Sequence, residues 1–111
     1  MSKIIVVGID FSDCSINALE HAISIARNAK AGVRMVWINH LDYSKEIFSV
    51  EPDNIINEVN ERFHELIKTY RYHLVGQTLD FEIRKGKVYK EICHAASDIN
   101  AFLIVIGTHG S

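Results

Sequence analysis

The order of hydrophobic patterns along the chain constrains its fold more than any other feature of the sequence. Three short, mainly apolar runs are typical of parallel strands buried on both faces: residues 4–9, 33–38 and 102–106. Three further segments place apolar residues at helical spacing: residues 13–30, 52–70 and 88–99. Because strands and helices alternate, the sequence predicts right-handed βαβ units and an α/β fold with a parallel sheet.

The third strand along the chain is predicted from a different pattern. Leu79, Phe81 and Ile83 alternate with charged residues, so this strand has one polar face and is expected at or near a sheet edge. A doubly wound parallel sheet of order 3-2-1-4 satisfies this requirement. The positions that we expect to be buried in this sheet include Val6, Val7, Val36, Ile104 and Val105.

The last strand lies at the opposite edge of this predicted sheet. Residues 102–106 are apolar throughout, and an exposed edge of this kind invites pairing with another strand. We therefore expect a fifth strand or another chain to cover it. This pattern predicts that the natural domain is longer than residues 1–111, and that these residues form one domain with an incomplete C-terminal end.

Size and charge limit the classes of protein to consider. The chain has 111 residues, 48% hydrophobic and 23% charged, which is typical of one globular domain. Its net charge of -2 gives no general attraction to nucleic acid or to an anionic membrane. No apolar run is long enough to span a bilayer, and the first residues lack a signal-peptide pattern.

The two cysteines indicate a reducing compartment. Cys14 and Cys93 both fall in predicted helices and form no Cys-x-x-Cys motif. We therefore expect two small buried side chains in a cytoplasmic protein.

A ligand site is predicted where the strand order reverses. In open parallel sheets, ligands bind there, beyond the carboxyl ends of the strands. Asp10 and residues 107–111 follow the two strands that flank this point. Gly107 and Gly110 permit a close backbone approach, and N–H groups in such a turn can bind phosphate, although Gly-x-x-Gly also occurs in plain turns. Asp10 can accept hydrogen bonds from a ribose or base, or hold a metal ion bound to phosphates.

Several stretches of the sequence resemble the universal stress protein family. They are residues 8–12 after the first strand, the helix positions Ala18, Leu19 and Ala22, the turn and helix at residues 86–96, and residues 104–110. The resemblance covers essentially the whole chain in order. It implies a stress-response regulatory module that binds ATP or AMP, has no catalytic residues, and forms a homo-oligomer or part of a tandem protein.

The resemblance is to the ATP-binding branch of that family. Gly107 and Gly110 match the first half of its glycine motif, and the second half would lie beyond Ser111. We therefore expect residues 1–111 alone to bind ATP, with or without Mg²⁺, weakly or not at all. The family's last strand, which would cover the apolar edge, is absent as well. The predicted binding residues are Asp10, Ile38, Ile106, Gly107, His109, Gly110 and Ser111.

Other functions stay open on the sequence alone. The chain is also consistent with a structural dimerisation module that has no ligand, as in the family's other branch. An enzyme of the adenine-nucleotide α-hydrolase type shares the architecture, but its Ser-Gly-Gly-x-Asp-Ser or His-x-Gly-His motif is absent after the first strand. A phospho-receiver domain needs an aspartate after the third strand, where the chain has Arg84, Lys85 and Gly86.

Single polar residues give no further sign of chemistry. Ser12 is expected to cap the first helix rather than to act as a nucleophile. The helical histidines His21, His64 and His94 have no His or Cys three or four residues further on, so no metal site is predicted. His109 is equally consistent with ligand contact and with an exposed turn.

Overall fold

The protein is described by a computed structural model at residues 3–40 and 52–107. In this part of the chain, strands and helices alternate as the sequence predicts, and a short 3₁₀ turn, Arg71–His73, follows the second helix. The elements are β1 (Ile4–Gly8), α1 (Asp13–Ala29), β2 (Gly32–Asn39), α2 (Pro52–Tyr70), β3 (Leu79–Lys85), α3 (Val88–Asp98) and β4 (Leu103–Ile106).

The four strands form one parallel sheet in the order β3-β2-β1-β4. Ile5 of β1 pairs with Val33 of β2 on one side and with Leu103 of β4 on the other. Val33 in turn pairs with Leu79 of β3. The predicted α/β class, the doubly wound order 3-2-1-4 and the edge position of β3 are confirmed.

Helices cover both faces of the sheet, so the domain has two hydrophobic cores. Ile5 and Val7 of β1 join the larger core, which α1 and α2 complete. Val6 points to the opposite face and packs in a smaller core beneath α3. This division follows from the alternation of side chains along a strand. The predicted burial of Val6, Val7 and Val36 is confirmed.

The helix α1 begins at a side-chain cap, Ser12, and ends at a residue in the left-handed conformation, Lys30. The Ser12 hydroxyl accepts a hydrogen bond from the Ser15 amide, which confirms the predicted N-cap. At the other end helical spacing was predicted through residue 30, but the helix ends at Ala29 and Lys30 takes the left-handed conformation, φ 55°. Gly32 begins β2, where a Cβ atom would collide with the Thr78 hydroxyl.

Burial at β4 differs from the prediction. Ile104 is 37% exposed and Val105 is half-buried, although the sequence analysis expected both to be buried. The reason is the edge position of β4, because in the described residues only β1 pairs with it. The strand also begins one residue later than predicted, at Leu103.

The cysteines are more accessible than predicted. Cys14 is half-buried and Cys93 is exposed, because α3 buries Ile92, Ala95 and Ala96 against the sheet and Cys93 lies outside that stripe. Among the helices of the described chain, none is long and apolar enough to cross a membrane.

Candidate functional site

A cleft of about 450 Å³ lies beyond the carboxyl ends of β1, β2 and β4, next to the start of α3. Its position is the one where strand order reverses, as expected for the ligand site of an open parallel sheet. Most of its lining is apolar side chain or glycine. The residues that line it are Gly8, Ile9, Asp10, Ser15, Val36, Trp37, Ile38, His40, Val88, Tyr89, Ile92, Ile106 and Gly107.

Asp10 is positioned by the turn that leads into α1. Its carboxylate accepts hydrogen bonds from the Ser12 amide, at 2.9 Å, and from the Ser12 hydroxyl. The Asp10 amide donates to the Ser15 hydroxyl at 3.3 Å. Phe11 lies between them with φ 65°, a conformation that few residues with a side chain adopt. These contacts hold the exposed Asp10 carboxylate at the rim of the cleft.

Two glycines allow neighbouring elements to approach the cleft closely. A Cβ atom on Gly107 would collide with the backbone of Cys14, so the end of β4 packs directly against the first turn of α1. A Cβ atom on Gly8 would lie 2.8 Å from the Ile92 side chain, which brings α3 close to β1. A larger residue at either position would therefore change the shape of the cleft.

The start of α3 is held against the cleft by a turn and by an ion pair. Gly86, at φ 141°, begins the turn and donates its N–H to the Asn39 carbonyl at 3.1 Å. The Arg84 guanidinium binds the Glu91 carboxylate at 3.1 Å. The N-cap residue of α3, Lys87, makes no side-chain capping hydrogen bond, and the exposed Tyr89 of the first turn borders the cleft.

Acidic neighbours surround Arg84. Its guanidinium contacts Glu82 at 2.6 Å and Asp98 at 3.2 Å in addition to Glu91. Hydrogen bonds to Glu82 first, and then to Glu91, raise the pKa of Arg84. The group therefore stays charged, and the link between β3 and α3 is electrostatic.

The structure brings together part of the predicted site. Asp10, Ile38, Ile106 and Gly107 all border the same cleft. The other predicted residues, His109, Gly110 and Ser111, lie outside the described part of the chain. A nucleotide-binding role for these seven residues stays a prediction.

The sequence analysis missed the contribution of α3 and of His40, the residue that follows β2. Val88, Tyr89, Ile92 and His40 line the cleft but were not assigned to a site. One signal was available, because in a βαβ unit the helix that follows a strand begins at the carboxyl end of the sheet. The apolar spacing of α3 was interpreted only as a core-facing stripe.

Charge is sparse in the cleft. Among the described lining residues there is no Lys or Arg, and Asp10 is the only acidic one. No group of three or more His, Cys, Asp or Glu side chains that could hold a metal ion occurs in residues 3–40 and 52–107. The described lining is therefore suited to an apolar or aromatic group of a ligand rather than to a bare, highly charged group.

The fold and the cleft define a class of protein, the doubly wound α/β domains with a ligand site at the switch point of the sheet. Comparison with known families identifies the group within this class. The model of the universal stress protein family matches residues 1–111, and the chain belongs to that family.

Solved structures show the same fold. A universal stress family protein from Burkholderia pseudomallei is 24% identical with a TM-score of 0.71, over 96% of this chain and 82% of that one. The hypothetical protein MJ0577 is 26% identical with a TM-score of 0.68, over 100% and 78% of the two chains. A universal stress protein in complex with cAMP is 17% identical with a TM-score of 0.66, over 93% of this chain and 74% of that one. A search of curated proteins found no match.

Proposed function

We propose that the chain is a stress-response regulatory module that binds an adenine nucleotide, ATP or AMP, in the cleft at the carboxyl ends of β1 and β4. The observation that carries this proposal is the cleft itself. It combines an apolar wall suited to a base with an acidic rim residue, Asp10, suited to a ribose or to a metal ion.

The phosphate groups decide which nucleotide fits best. Because no described lining residue is Lys or Arg, each added phosphate brings negative charge that these side chains do not neutralise. Asp10 is suited to hold Mg²⁺, which would offset the charge of a triphosphate. We therefore propose that ATP binds through Mg²⁺, whereas AMP binds without it.

One similar structure supports the ligand class at the level of the fold. That protein is in complex with cAMP, and it shares the fold with this chain at 17% identity. An adenine nucleotide is thus compatible with a sheet and cleft of this architecture. The support for this chain comes from its own cleft residues.

We also propose that the module acts in the cytoplasm, without catalysis, as a homo-oligomer or in a tandem protein. The low cysteine content, with Cys14 and Cys93 both free thiols, supports a reducing compartment. The apolar edge at β4 supports oligomerisation, because unpaired strand edges tend to pair.

Nucleotide titrations test the proposal. AMP, cAMP and ATP are added to the purified protein, ATP with and without Mg²⁺, and heat and tryptophan fluorescence are recorded. Trp37, the only tryptophan of the chain, borders the cleft and reports occupancy. We expect weak binding of AMP and weak, Mg²⁺-dependent binding of ATP. Absence of binding by all three nucleotides at millimolar concentration would contradict the proposal.

Two tyrosines provide a matched pair of variants. Tyr89 borders the cleft and is 66% exposed, whereas Tyr72 lies outside the cleft lining and is 69% exposed. Tyr89→Ala should weaken nucleotide binding about fivefold or more, since stacking of a base on an aromatic ring contributes about 1–3 kcal/mol. Tyr72→Ala should leave affinity unchanged. Equal losses in the two variants would place the ligand outside the cleft.

A dimerisation module without a ligand is the second candidate, and the exposed apolar residues beside β4 favour it. The two candidates differ in what Asp10→Asn does. If the cleft binds Mg²⁺-ATP, this variant loses the Mg²⁺ dependence but keeps its oligomeric state. If dimerisation is the whole function, no nucleotide affects either variant or the wild-type protein.

One contact bears on the enzyme alternative. The sequence analysis expected Ser12 to cap the first helix rather than to act as a nucleophile, yet the Ser12 hydroxyl donates to the Asp10 carboxylate. The same hydroxyl accepts from the Ser15 amide at 3.2 Å, as a helix cap does. We propose a structural role. Nucleotide turnover by pure protein that disappears in Asp10→Ala and Ser12→Ala would overturn it.

A further inference from the structure

A trough lies on the side of the domain where α1 ends, away from the nucleotide cleft. It consists of two adjoining depressions of about 320 and 210 Å³, which share Arg27 and His73 as lining residues. One wall is the second half of α1 together with its C-cap residue, from Glu20 to Lys30. Along a helix that distance is about 15 Å. The trough is therefore elongated rather than a pocket for a compact ligand.

The trough is basic. Arg27 and Lys30 are exposed, and neither has an ion-pair or hydrogen-bond partner for its side chain in the described residues. Both lie at the C-terminal end of α1, where cations also interact favourably with the helix dipole. Glu20, an acidic lining residue, accepts a hydrogen bond from the Tyr70 hydroxyl at 2.8 Å. Positive charge is thus concentrated at one end of the trough.

The opposite wall is the turn that follows the 3₁₀ segment Arg71–His73. Leu74 is 3% exposed and anchors it in the core. The Leu74 amide donates to the Arg71 carbonyl at 3.1 Å, and the Gln77 amide donates to the Leu74 carbonyl at 3.1 Å. Gly76 takes a left-handed conformation, with φ 81°. These two backbone hydrogen bonds restrain the turn, and a restrained surface lowers the entropic cost of binding.

This turn exposes apolar surface beside the cations. Val75 is 90% exposed and Tyr72 lies next to the trough with its ring against the Arg71 guanidinium, 5.0 Å away. Other strongly exposed large apolar side chains of the described chain lie at the nucleotide cleft or beside β4, apart from Ile25 on α1. Tyr, Arg and exposed apolar residues together are typical of protein interaction surfaces.

We infer that this trough is a docking surface for a short extended segment of a partner protein that carries carboxylates next to an aliphatic side chain. The carboxylates contact Arg27 and Lys30, and the aliphatic side chain packs against Val75 and Tyr72. A strand rises about 3.3 Å per residue, so about five residues fill the trough. The inference is independent of nucleotide binding.

A labelled peptide tests the inference. Fluorescein-labelled Glu-Leu-Asp-Leu-Glu is titrated into the full chain and its anisotropy is measured, with the neutral peptide Gln-Leu-Asn-Leu-Gln as control. We expect the acidic peptide to bind at least about fivefold more tightly, and the difference to shrink as salt is raised. Equal affinity for the two peptides, or no binding at millimolar concentration, would overturn the inference.

Matched variants locate the binding surface. Arg27→Gln combined with Lys30→Gln should weaken binding of the acidic peptide about fivefold or more. Lys68→Gln combined with Lys90→Gln removes the same charge from exposed helix positions outside the trough, and should leave binding unchanged. Equal losses in the two double variants would show that net charge alone attracts the peptide, and would overturn the inference.

Val75→Ser tests the apolar part of the surface. It should weaken peptide binding but not the binding of inorganic phosphate, because phosphate has no aliphatic group. If phosphate displaces the peptide fully and Val75→Ser has no effect, the trough is a simple anion site and the inference is wrong. All substituted residues are exposed, so circular dichroism and thermal unfolding should match the wild-type protein.

Discussion

The two edges of the sheet are built from different residues. At β3, Arg34 of the neighbouring strand forms two hydrogen bonds with Asp80, at 3.0 and 3.2 Å, and this contact raises the pKa of Arg34. On the other face of β3, the Phe81 ring stacks on the buried Phe63 ring, with 4.6 Å between the ring centroids. At β4, in contrast, apolar side chains are exposed, and Phe102 beside it is 49% exposed.

The difference shows which edge can remain open to water. Charged side chains on an edge strand discourage pairing with another chain, and β3 carries them on one face. The strand β4 has apolar side chains on both faces and no charge. We infer that β3 is a natural end of the sheet, whereas β4 is a position where another strand is expected.

The largest expected effect concerns the two faces of β4. Val105 packs against the larger core, so Val105→Asp buries a charge without a partner and should cost about 3 kcal/mol or more in the free energy of unfolding. Ile104→Asp places the same charge at a 37% exposed position and should cost about 1 kcal/mol. Urea denaturation measures both. Equal costs would show that the two faces of β4 are not distinct.

A pair of aromatic residues compares the edges directly. Phe81→Ala at β3 removes the ring that stacks on Phe63 and should cost about 2–3 kcal/mol. Phe102→Ala beside β4 should cost about 1 kcal/mol or less, because half of the side chain is already in water. If the loss at Phe102 is the larger one, that ring is buried in the protein in solution and the β4 edge is covered.

The smallest energetic effect concerns association through β4. We expect the wild-type protein to self-associate with rising concentration, and Ile104→Lys to reduce this because charge on an edge strand opposes pairing. Val75→Lys is the control, since Val75 is 90% exposed in the turn before β3, at the opposite edge of the sheet. Sedimentation measures both variants. A wild-type protein that stays monomeric at high concentration, or equal effects of both substitutions, would contradict the expectation.

Local patterns explain why so much of the fold could be predicted. Ser12 caps α1, the alternation along β3 gives it one polar face, and the apolar run of β1 is buried on both faces, as predicted. Each of these features depends on residues close together in sequence. The strand order followed from them, because β3 alone had the pattern of an edge and connections between parallel strands are right-handed.

The errors came from positions where a distant element decides the outcome. Cys93 was expected to be buried, yet it is exposed because α3 packs on the sheet through Ile92, Ala95 and Ala96. Ile104 is apolar and was expected in the core, yet its exposure depends on whether a strand lies beyond β4. Propensity and periodicity carry no information about such neighbours.

The residues of the candidate site also divide into those that the sequence predicted and those that depend on distant elements. Asp10 and Gly107 were predicted from their positions after two strands, because the carboxyl ends of adjacent parallel strands always meet at one end of a sheet. Tyr89 was not predicted, since its place at the cleft depends on the turn at Gly86 and on how α3 packs over Gly8.

Sequence alone therefore determined the α/β class, the strand order and part of the lining of the candidate site, because hydrophobic periodicity, helix caps and parallel topology are encoded by residues near one another in the chain. Tertiary structure alone decided the depth of the cleft, the exposure of β4 and the basic trough at the end of α1. These features arise where segments distant in sequence meet, and their geometry is set by the packing of particular side chains.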